Sequence, residues 1–119
     1  MTTKSTEKIV FNNEGIKVVY KGIEQNGYST NIKLYIENNS GYDYTIQLRN
    51  ESINGYMVNG VFSSKVSNGK KINDEVKFSN SELEENDITE IENIEFNLHI
   101  FKTNDWSNSF DSETITINP

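Results

Sequence analysis

Apolar and polar residues alternate with a period of two through much of this chain, and this alternation constrains the fold more than any other feature. It first appears in residues 15–24 and 29–37, with apolar positions at Ile16, Val18, Tyr20, Ile32, Leu34 and Ile36. Successive side chains of a β-strand point to opposite faces, so each segment predicts a strand with one buried face. The dipeptide Asn26-Gly27 between them favours a tight turn. The sequence therefore predicts an antiparallel hairpin.

Further strands are predicted over residues 44–51, in short pieces between 52 and 66, over 72–78, over 94–101 and at Ile115 and Ile117. Of residues 72–78, only the second half is expected to be well buried. Residues 94–101 show the longest clean alternation, which predicts a central strand. Residues 38–43 are predicted to form a loop, as are residues 103–111, which contain Trp106.

Turn-forming residues separate these segments. Asn-Gly dipeptides begin at residues 26, 54, 59 and 68, and each marks an expected hairpin or loop tip. The chain contains 18 asparagines and no alanine, the best helix former. Only residues 80–87, with capping-type side chains followed by acidic residues, predict helix, and they are long enough for a single turn.

The expected architecture is a single all-β domain over residues 9–119. It has about seven to nine strands in an antiparallel β-sandwich, with one short helical turn near residues 81–86. Residues 1–8 are interpreted as a disordered tail or the remnant of a truncation. We find no apolar run long enough for a membrane span and no apolar stretch of a signal peptide near the amino terminus, so no direct membrane insertion is expected.

Charge and cysteine content exclude several function classes. The net charge is -7, and the largest basic cluster is the pair Lys70 and Lys71, so nucleic acid is not an expected partner. The absence of cysteine rules out disulfides, thiolate zinc sites and thiol catalysis. It does not indicate a compartment, because exported domains also avoid cysteine.

The segments 35–40, 52–58, 69–71, 81–84 and 94–101, together with the loop that carries Trp106, resemble a known family. They are similar to the uncharacterised immunoglobulin-like extracellular domains of low-GC Gram-positive bacteria. That resemblance implies an immunoglobulin-like sandwich at the cell surface, in proteins that carry a lipoprotein signal or a membrane-anchored zinc ribbon. It implies no catalytic residues, and this chain lacks the lipid-anchor cysteine and an export segment.

Catalytic and metal-binding chemistry has few candidates. His99 is the one histidine and lacks an accompanying nucleophile motif, so we interpret it as a polar residue on the outer face of a strand. The acidic residues between 82 and 95 are interpreted as a solvated face. The loop 104–111 and the pair Asp74 and Glu75 carry oxygen ligands suited to calcium without the spacing of a calcium loop. The sequence thus predicts no enzyme, no cofactor and no metal site, and it leaves a weak calcium site open.

Aromatic residues outside the core alternation are the remaining candidates for function. Tyrosine and tryptophan anchor many binding surfaces. The predicted contacts with a partner are Trp106, Tyr56, Tyr35 and Phe101. The competing interpretation is that these rings cover neighbouring strands on the outside of the sheets.

The sequence therefore predicts a non-catalytic extracellular module that binds a protein or glycan at the cell surface. The alternative is a structural spacer or assembly domain of a surface lipoprotein without a ligand of its own. An exposed aromatic patch around Tyr56 or Trp106 would favour binding, and an evenly polar surface would favour the spacer. The sequence gives no indication of oligomeric state.

Overall fold

A computed structural model describes residues 7–119, which contain eleven strands and one short helix. The strands in the first half of the chain are β1 (Lys8–Asn13), β2 (Ile16–Gln25), β3 (Ser29–Asn38), β4 (Tyr44–Ile53), β5 (Tyr56–Met57) and β6 (Gly60–Val61). They are followed by β7 (Ser63–Val66), β8 (Lys70–Ser79), α1 (Asn80–Glu85), β9 (Ile94–Lys102), β10 (Asp105–Asp111) and β11 (Ile115–Ile117). Two of the eleven strands have only two residues, and the other nine match the upper end of the predicted number.

The strands form two sheets, and all of the strand pairs are antiparallel. The first sheet has the order β1-β2-β3-β8-β6. The second has the order β10-β9-β4-β5, with β11 beside β9 and β7 beside β4. The hairpin predicted from the first two alternating segments is β2 and β3, with Ile16 opposite Asn38 and Gln25 opposite Thr30.

The connections between the sheets follow a Greek-key order. After β3, the chain crosses from the first sheet to the second and forms β4. It later returns to the first sheet as β8, which pairs with β3, and crosses again to form β9, which pairs with β4. This alternation between two antiparallel layers is the connectivity of immunoglobulin-like sandwiches. The predicted all-β sandwich is confirmed.

One hydrophobic core lies between the sheets and follows the alternation in the sequence. Its fully buried large side chains are Phe78, Phe96, Ile16, Ile32, Leu34, Ile36, Ile46, Ile53, Ile94, Leu98, Ile100 and Ile117. Strand β9 contributes four of them and has β4 on one side and β10 and β11 on the other, as expected of a central strand. In β8 the buried positions are Val76 and Phe78, so the expectation that only its second half is well buried is also confirmed.

The one helical turn lies where the sequence predicts it. Helix α1 buries Leu83 against the core and has Glu82 in its first turn. Ser79 occupies the N-cap position without a side-chain capping bond. The Glu82 carboxylate instead accepts hydrogen bonds from Asn59, from the backbone nitrogen and from Nδ2, each at 3.0 Å. The helix is thereby tied to the loop between β5 and β6.

The loop predicted over residues 103–111 is wrong for most of its length, because Asp105–Asp111 form strand β10. Every residue of β10 except Phe110 is exposed, so no alternation identifies the strand in the sequence. By pairing with β9, β10 provides hydrogen-bond partners for the backbone N–H and C=O groups on that edge of β9. The need to satisfy these groups outweighs the weak strand propensity of the polar residues in β10.

Strand β1 is a second element that the alternation does not predict. It joins β2 through a turn at Glu14 and Gly15, where both residues have positive φ, 56° and 78°. The predicted tail over 1–8 overlaps the described residues only at Glu7 and Lys8, and Lys8 already belongs to β1. Residues 1–6 lie outside the described part of the chain.

The Asn-Gly dipeptides do not all form the same kind of turn. Asn54 and Gly55 have φ of 52° and 83° and make the tight turn between β4 and β5. Asn26 and Gly27 belong to a three-residue loop between β2 and β3, without positive φ. Residues 68 and 69 turn the chain from one sheet to the other, whereas Gly60 begins β6.

Within residues 7–119, no helix has the length and apolar character needed to cross a bilayer.

Candidate functional site

The structure separates Trp106 from Tyr56 and from Tyr35, whereas Phe101 lies at the same end of β9 as the hairpin that carries Trp106. Tyr56 pairs with Ile53, which in turn lies opposite Ile94 at the start of β9. Trp106 follows Asp105, which pairs with Lys102 at the other end of β9. Strand β9 has nine residues, so these two positions lie roughly 26 Å apart along the sheet. Tyr35 and Phe101 lie on the outer faces of the first and second sheets. The four rings cannot form one patch.

Trp106 is the most exposed of the four, with 79% of its surface accessible. Asp105 pairs with Lys102, and Ser109 pairs with Phe101. Lys102 and Phe101 are consecutive in β9, whereas three residues separate Asp105 from Ser109 in β10. These three residues have no partner in β9 and form a bulge. Trp106 is the first of these three residues. Its ring is therefore presented away from the sheet, at the end of the hairpin between β9 and β10.

A small hollow lies next to this hairpin. It has a volume of about 150 Å³ and is lined by Tyr42, Asp43, Lys102, Asn104 and Asp105. Together with Trp106, these residues form what we call the tip surface. The tip surface combines two exposed aromatic rings with one cation, two carboxylates and one side-chain amide, all groups that can bind a polar partner.

Lys102 and Tyr42 hold each other in place across the hollow. The Lys102 ammonium lies 3.6 Å from the centre of the Tyr42 ring, close enough for a cation–π interaction. Tyr42 also meets Tyr44 edge to face, with ring centres 6.4 Å apart. One face of the Tyr42 ring is thus occupied, whereas the Trp106 ring makes no aromatic or cation–π contact within residues 7–119.

Tyr44 forms the floor beneath Tyr42. It is 7% exposed and packs edge to face against Phe110, with ring centres 5.9 Å apart. Burial raises the pKa of its hydroxyl above the ordinary value of 10.0, and the nearby Glu14 and Tyr42 add to the increase. Tyr44 therefore keeps its proton through the neutral range and acts as a packing residue.

The carboxylates of the tip surface also fix the loops around it. Asp43 Oδ1 accepts a hydrogen bond from the backbone nitrogen of Asn68 at 2.8 Å. The backbone carbonyl oxygen of Asp43 accepts a second one from the backbone nitrogen of Thr103 at 2.9 Å. Asp105 Oδ1 accepts from the Ser107 hydroxyl at 2.7 Å. Each carboxylate keeps an Oδ2 atom without a partner among the described residues, so each can accept a hydrogen bond from a ligand.

A buried asparagine holds the neighbouring loop. Asn38 is 1% exposed and donates from Nδ2 to the carbonyl oxygens of Tyr42 and Val66, at 2.7 and 2.8 Å. Its Oδ1 accepts from the backbone nitrogen and the hydroxyl of Ser40. All four hydrogen-bonding positions of the amide are used. The tip surface is therefore built on a fixed loop.

Tyr35 lies in a different environment, among charged side chains that cover the first sheet. Salt bridges there join Lys17 to Glu37, Lys21 to Glu7, Lys33 to Glu24 and Lys77 to Glu75, at 2.9 to 4.0 Å. The ring of Tyr35 is half-buried beside Val19 and Asn73, its cross-strand neighbours, and Lys21 Nζ lies 6.0 Å from its centre. This arrangement fits a ring that covers neighbouring strands.

Phe101 and His99 are neighbours on the outer face of the second sheet. Their ring centres are 5.7 Å apart, and His99 Nδ1 lies 2.5 Å from Asp111 Oδ1 on the adjacent strand. The position of His99 thus agrees with the interpretation of an outer-face polar residue. Among residues 7–119, no three His, Asp or Glu side chains are grouped so that they could hold a metal ion.

A second exposed apolar group surrounds Tyr56. Tyr56, Met57 and Val61 are 49%, 81% and 71% exposed and lie on the short strands β5 and β6. We call them the corner surface. The two strands that carry it have only two residues each.

A depression of about 690 Å³ lies at the helix end of the sandwich. It is lined by Ile23, Gln25, Thr89, Glu90, Ile91, Glu92 and Pro119. None of the aromatic candidates borders it, and neither does His99. Its lining includes the acidic residues Glu90 and Glu92 and shares no residue with the tip surface.

Sequence reasoning identifies Trp106 and the neighbouring acidic residue, but it does not identify Lys102 or Asp43. Lys102 is the last residue of β9 and has the same parity as its buried apolar residues. The only sequence signal for its role is that a lysine follows the apolar positions at the end of the strand. Asp43 lies in a loop of turn-forming residues, where an aspartate carries no distinct signal.

Comparison with known proteins finds no family model that matches this chain and no matching curated protein.

Proposed function

We propose that this chain is a non-catalytic binding module that contacts a protein or glycan partner through the tip surface. The observation that carries the proposal is the 79% exposure of Trp106 on a hairpin whose neighbouring loops are fixed by hydrogen bonds, the one from Asn38 to Val66 being buried. A large ring in water loses little conformational freedom on binding and gains free energy when it is covered. Tryptophan is accordingly enriched among residues that dominate binding energies.

The fixed loop supports binding for a second reason. A partner that docks on a flexible loop must order it, and that ordering weakens the affinity. In this protein Asn38 and Asp43 already hold the loop through bonds to Val66, Asn68 and Thr103. The Oδ2 atoms of Asp43 and Asp105 then add direction, because each can accept a hydrogen bond from a hydroxyl or an N–H group.

The cellular setting is part of the proposal. The resemblance to immunoglobulin-like extracellular domains of Gram-positive bacteria supports a place at the cell surface, where proteins and glycans are the available partners. A sandwich with loops at its ends suits this role, because the loops can carry a contact surface without disturbing the core.

The second candidate is a spacer domain, and one observation favours it. The outer face of the first sheet carries four lysine–glutamate pairs and no exposed large apolar side chain between residues 16 and 25. This face is polar along β2, whereas Ile9 on the neighbouring β1 is 54% exposed opposite Val19. A spacer would need no more than a polar face, but it would leave the exposure of Trp106 without a role.

A capture experiment with two matched variants distinguishes these candidates. Wild-type protein, Trp106→Ala and Tyr56→Ala are immobilised and exposed to a glycan array and to bacterial and host surface proteins. Because Trp106 and Tyr56 lie at opposite ends of the sheet, each variant is the control for the other. We expect Trp106→Ala to lose the captured partner and Tyr56→Ala to keep it.

The remaining outcomes each contradict the proposal in a different way. A partner lost only by Tyr56→Ala would move the contact to the corner surface. A partner kept by both variants would exclude both aromatic surfaces. Capture of nothing by the wild-type protein would favour the spacer.

A further inference from the structure

The four Asn-Gly dipeptides have a chemical reactivity that the folded chain controls differently at each position. The backbone nitrogen of glycine can attack Cγ of the preceding asparagine, because no Cβ shields that nitrogen. A bond forms between this nitrogen and Cγ, the bond between Cγ and Nδ2 breaks, and ammonia leaves with the proton of the glycine nitrogen. Water then opens the resulting succinimide to aspartate or isoaspartate, with no change in oxidation state. Asparagine is thermolabile in proteins for this reason.

Two of the dipeptides are protected at the attacking nitrogen. Gly60 donates its backbone N–H to Glu51 Oε2 at 2.8 Å, and Gly69 donates to the carbonyl oxygen of Asn38 at 2.7 Å. An attack on Cγ requires each nitrogen to give up its hydrogen bond and turn toward the side chain. Gly60 is also confined, because Val76 lies 2.9 Å from the position that a Cβ would take.

A third dipeptide is protected at the asparagine side chain. Asn54 donates from Nδ2 to the carbonyl oxygen of Glu90 at 2.7 Å, and its Oδ1 accepts from the backbone nitrogens of Glu92 and Asn93 at 2.8 and 3.0 Å. The side chain therefore anchors a segment that is distant in sequence. Loss of its Nδ2 atom would break the bond to that segment, so the leaving step is opposed by the fold.

At Asn26 the attacking nitrogen is unprotected, and the Nδ2 atom is not bonded to a segment distant in sequence. Within residues 7–119, the backbone nitrogen of Gly27 donates to no hydrogen-bond acceptor, and a Cβ at Gly27 would meet no atom within 4 Å. Both residues are exposed at the tip of the β2–β3 hairpin. The Nδ2 atom that must leave is bonded only to the Ser29 hydroxyl, at 3.2 Å.

The Oδ1 atoms of both Asn26 and Asn54 accept from two backbone nitrogens, so the difference between the two sites lies at Nδ2. These donors favour the addition step at Asn26 as well. Its Oδ1 accepts hydrogen bonds from the backbone nitrogens of Tyr28 and Ser29, at 2.8 and 2.9 Å. As Gly27 adds to Cγ, negative charge develops on this same Oδ1. Backbone donors aimed at a developing oxyanion stabilise it.

We infer that Asn26 is a site of spontaneous conversion to aspartate and isoaspartate in the folded protein, whereas Asn54, Asn59 and Asn68 are preserved. Isoaspartate inserts a methylene into the main chain at the hairpin tip. The carbonyl oxygen of Asn26 accepts from Asn80 Nδ2 at 2.8 Å, so the change displaces the contact between this hairpin and the start of α1.

Peptide mass mapping during incubation at neutral pH tests the inference, with the chain in denaturant as the reference. In the folded protein we expect Asn26 to convert at least about tenfold faster than each of the other three, a difference of about 1.4 kcal/mol in activation free energy. In denaturant we expect all four rates to converge, since the reacting dipeptide is the same. An isoaspartate-specific methylation assay identifies the product.

Gly27→Ala is the matched control. The added methyl shields the attacking nitrogen, and Gly27 has neither a positive φ nor a neighbour that the methyl would meet. We expect this variant to fold normally and to slow the conversion of Asn26 about tenfold. The inference is overturned if Asn26 in the folded protein is no faster than the other three, or if Gly27→Ala leaves its rate unchanged.

Discussion

The side-chain amide of Asn38 donates a hydrogen bond of 2.8 Å to the carbonyl oxygen of Val66, 28 residues further along the chain. The two residues belong to different sheets, since Asn38 ends β3 and Val66 ends β7. This buried bond therefore joins the sheets at the end of the sandwich that carries the tip surface, and the loop after β3 depends on it.

Replacing Asn38 by aspartate tests this dependence. The carboxylate has the same shape but cannot donate, so it faces the carbonyl oxygens of Tyr42 and Val66 without a proton. We expect the free energy of unfolding to fall by about 3 kcal/mol, because two acceptors lose their donor and a charge is buried. Urea denaturation measures the change.

Asn39→Asp is the control for that variant, since the neighbouring side chain is exposed. It adds the same charge one residue away, and we expect a change below about 0.5 kcal/mol. Equal destabilisation by the two variants would mean that charge, and not the buried hydrogen bonds, determines the effect.

Gly15→Ala is expected to destabilise the protein by more than about 2 kcal/mol, since the residue has a positive φ and a Cβ would clash with the chain. Its φ is 78°, and the Cβ would lie 2.6 Å from Cα of Ser40. Thermal unfolding of this variant, compared with Gly27→Ala, measures the effect. A similar loss of stability in both variants would show that neither the positive φ nor the contact with Ser40 makes position 15 special.

Trp106→Ala is expected to leave the free energy of unfolding within about 0.5 kcal/mol of the wild type, since the ring is exposed. The contrasting variant is Phe96→Ala, which removes a ring that is 1% exposed. That change should cost about 3 to 5 kcal/mol through lost burial and a cavity. A large loss of stability in Trp106→Ala would show that the ring packs against the protein.

Alkaline pH should destabilise the protein in part through Tyr44. Its pKa is raised in the folded state by burial, whereas in the unfolded chain the hydroxyl ionises near 10.0. The unfolded state therefore releases this proton first as the pH rises. Stability is unaffected below that value and falls as the pH rises through the interval up to the folded pKa.

Tyr44→Phe removes the titrating hydroxyl and leaves the ring in the core. We expect the variant to lose less stability above pH 10.0 than the wild type does. The difference in phenolate absorbance between the two proteins should give a midpoint above that pH for Tyr44. Superimposable profiles of stability against pH would exclude the contribution of this residue.

The core and the central strands could be predicted from the sequence because burial imposes a period of two on β2, β3, β4 and β9. Strand β10 could not, because it lies at a sheet edge and its side chains from Asp105 to Ser109 all face water. The turn at Glu14 and Gly15 could not be predicted either, since the residue before the glycine is not one that favours positive φ.

The candidate site could likewise be predicted from the sequence only in part. Trp106 is identifiable in the sequence as an aromatic residue in a segment without core alternation. Its separation from Tyr56 and Tyr35 is not identifiable in the sequence, because it depends on which ends and faces the pairing of β4, β5, β9 and β10 brings together. Only the strand register assigns Lys102 to the same surface as Tyr42.

The pairing of β9 also has a mechanical consequence. β10 joins it near Lys102, next to Trp106, and β11 joins the same strand near Ile94. Tension applied between Trp106 and Ile53 would act on opposite ends of β9 and β4, which pair from Tyr44 and Lys102 at one end to Ile53 and Ile94 at the other. Hydrogen bonds of an antiparallel ladder lie perpendicular to the strands, so such tension shears many of them together and does not open them one after another. A partner that pulls at the tip surface against a hold near Ile53 would thus load the β4–β9 ladder in shear.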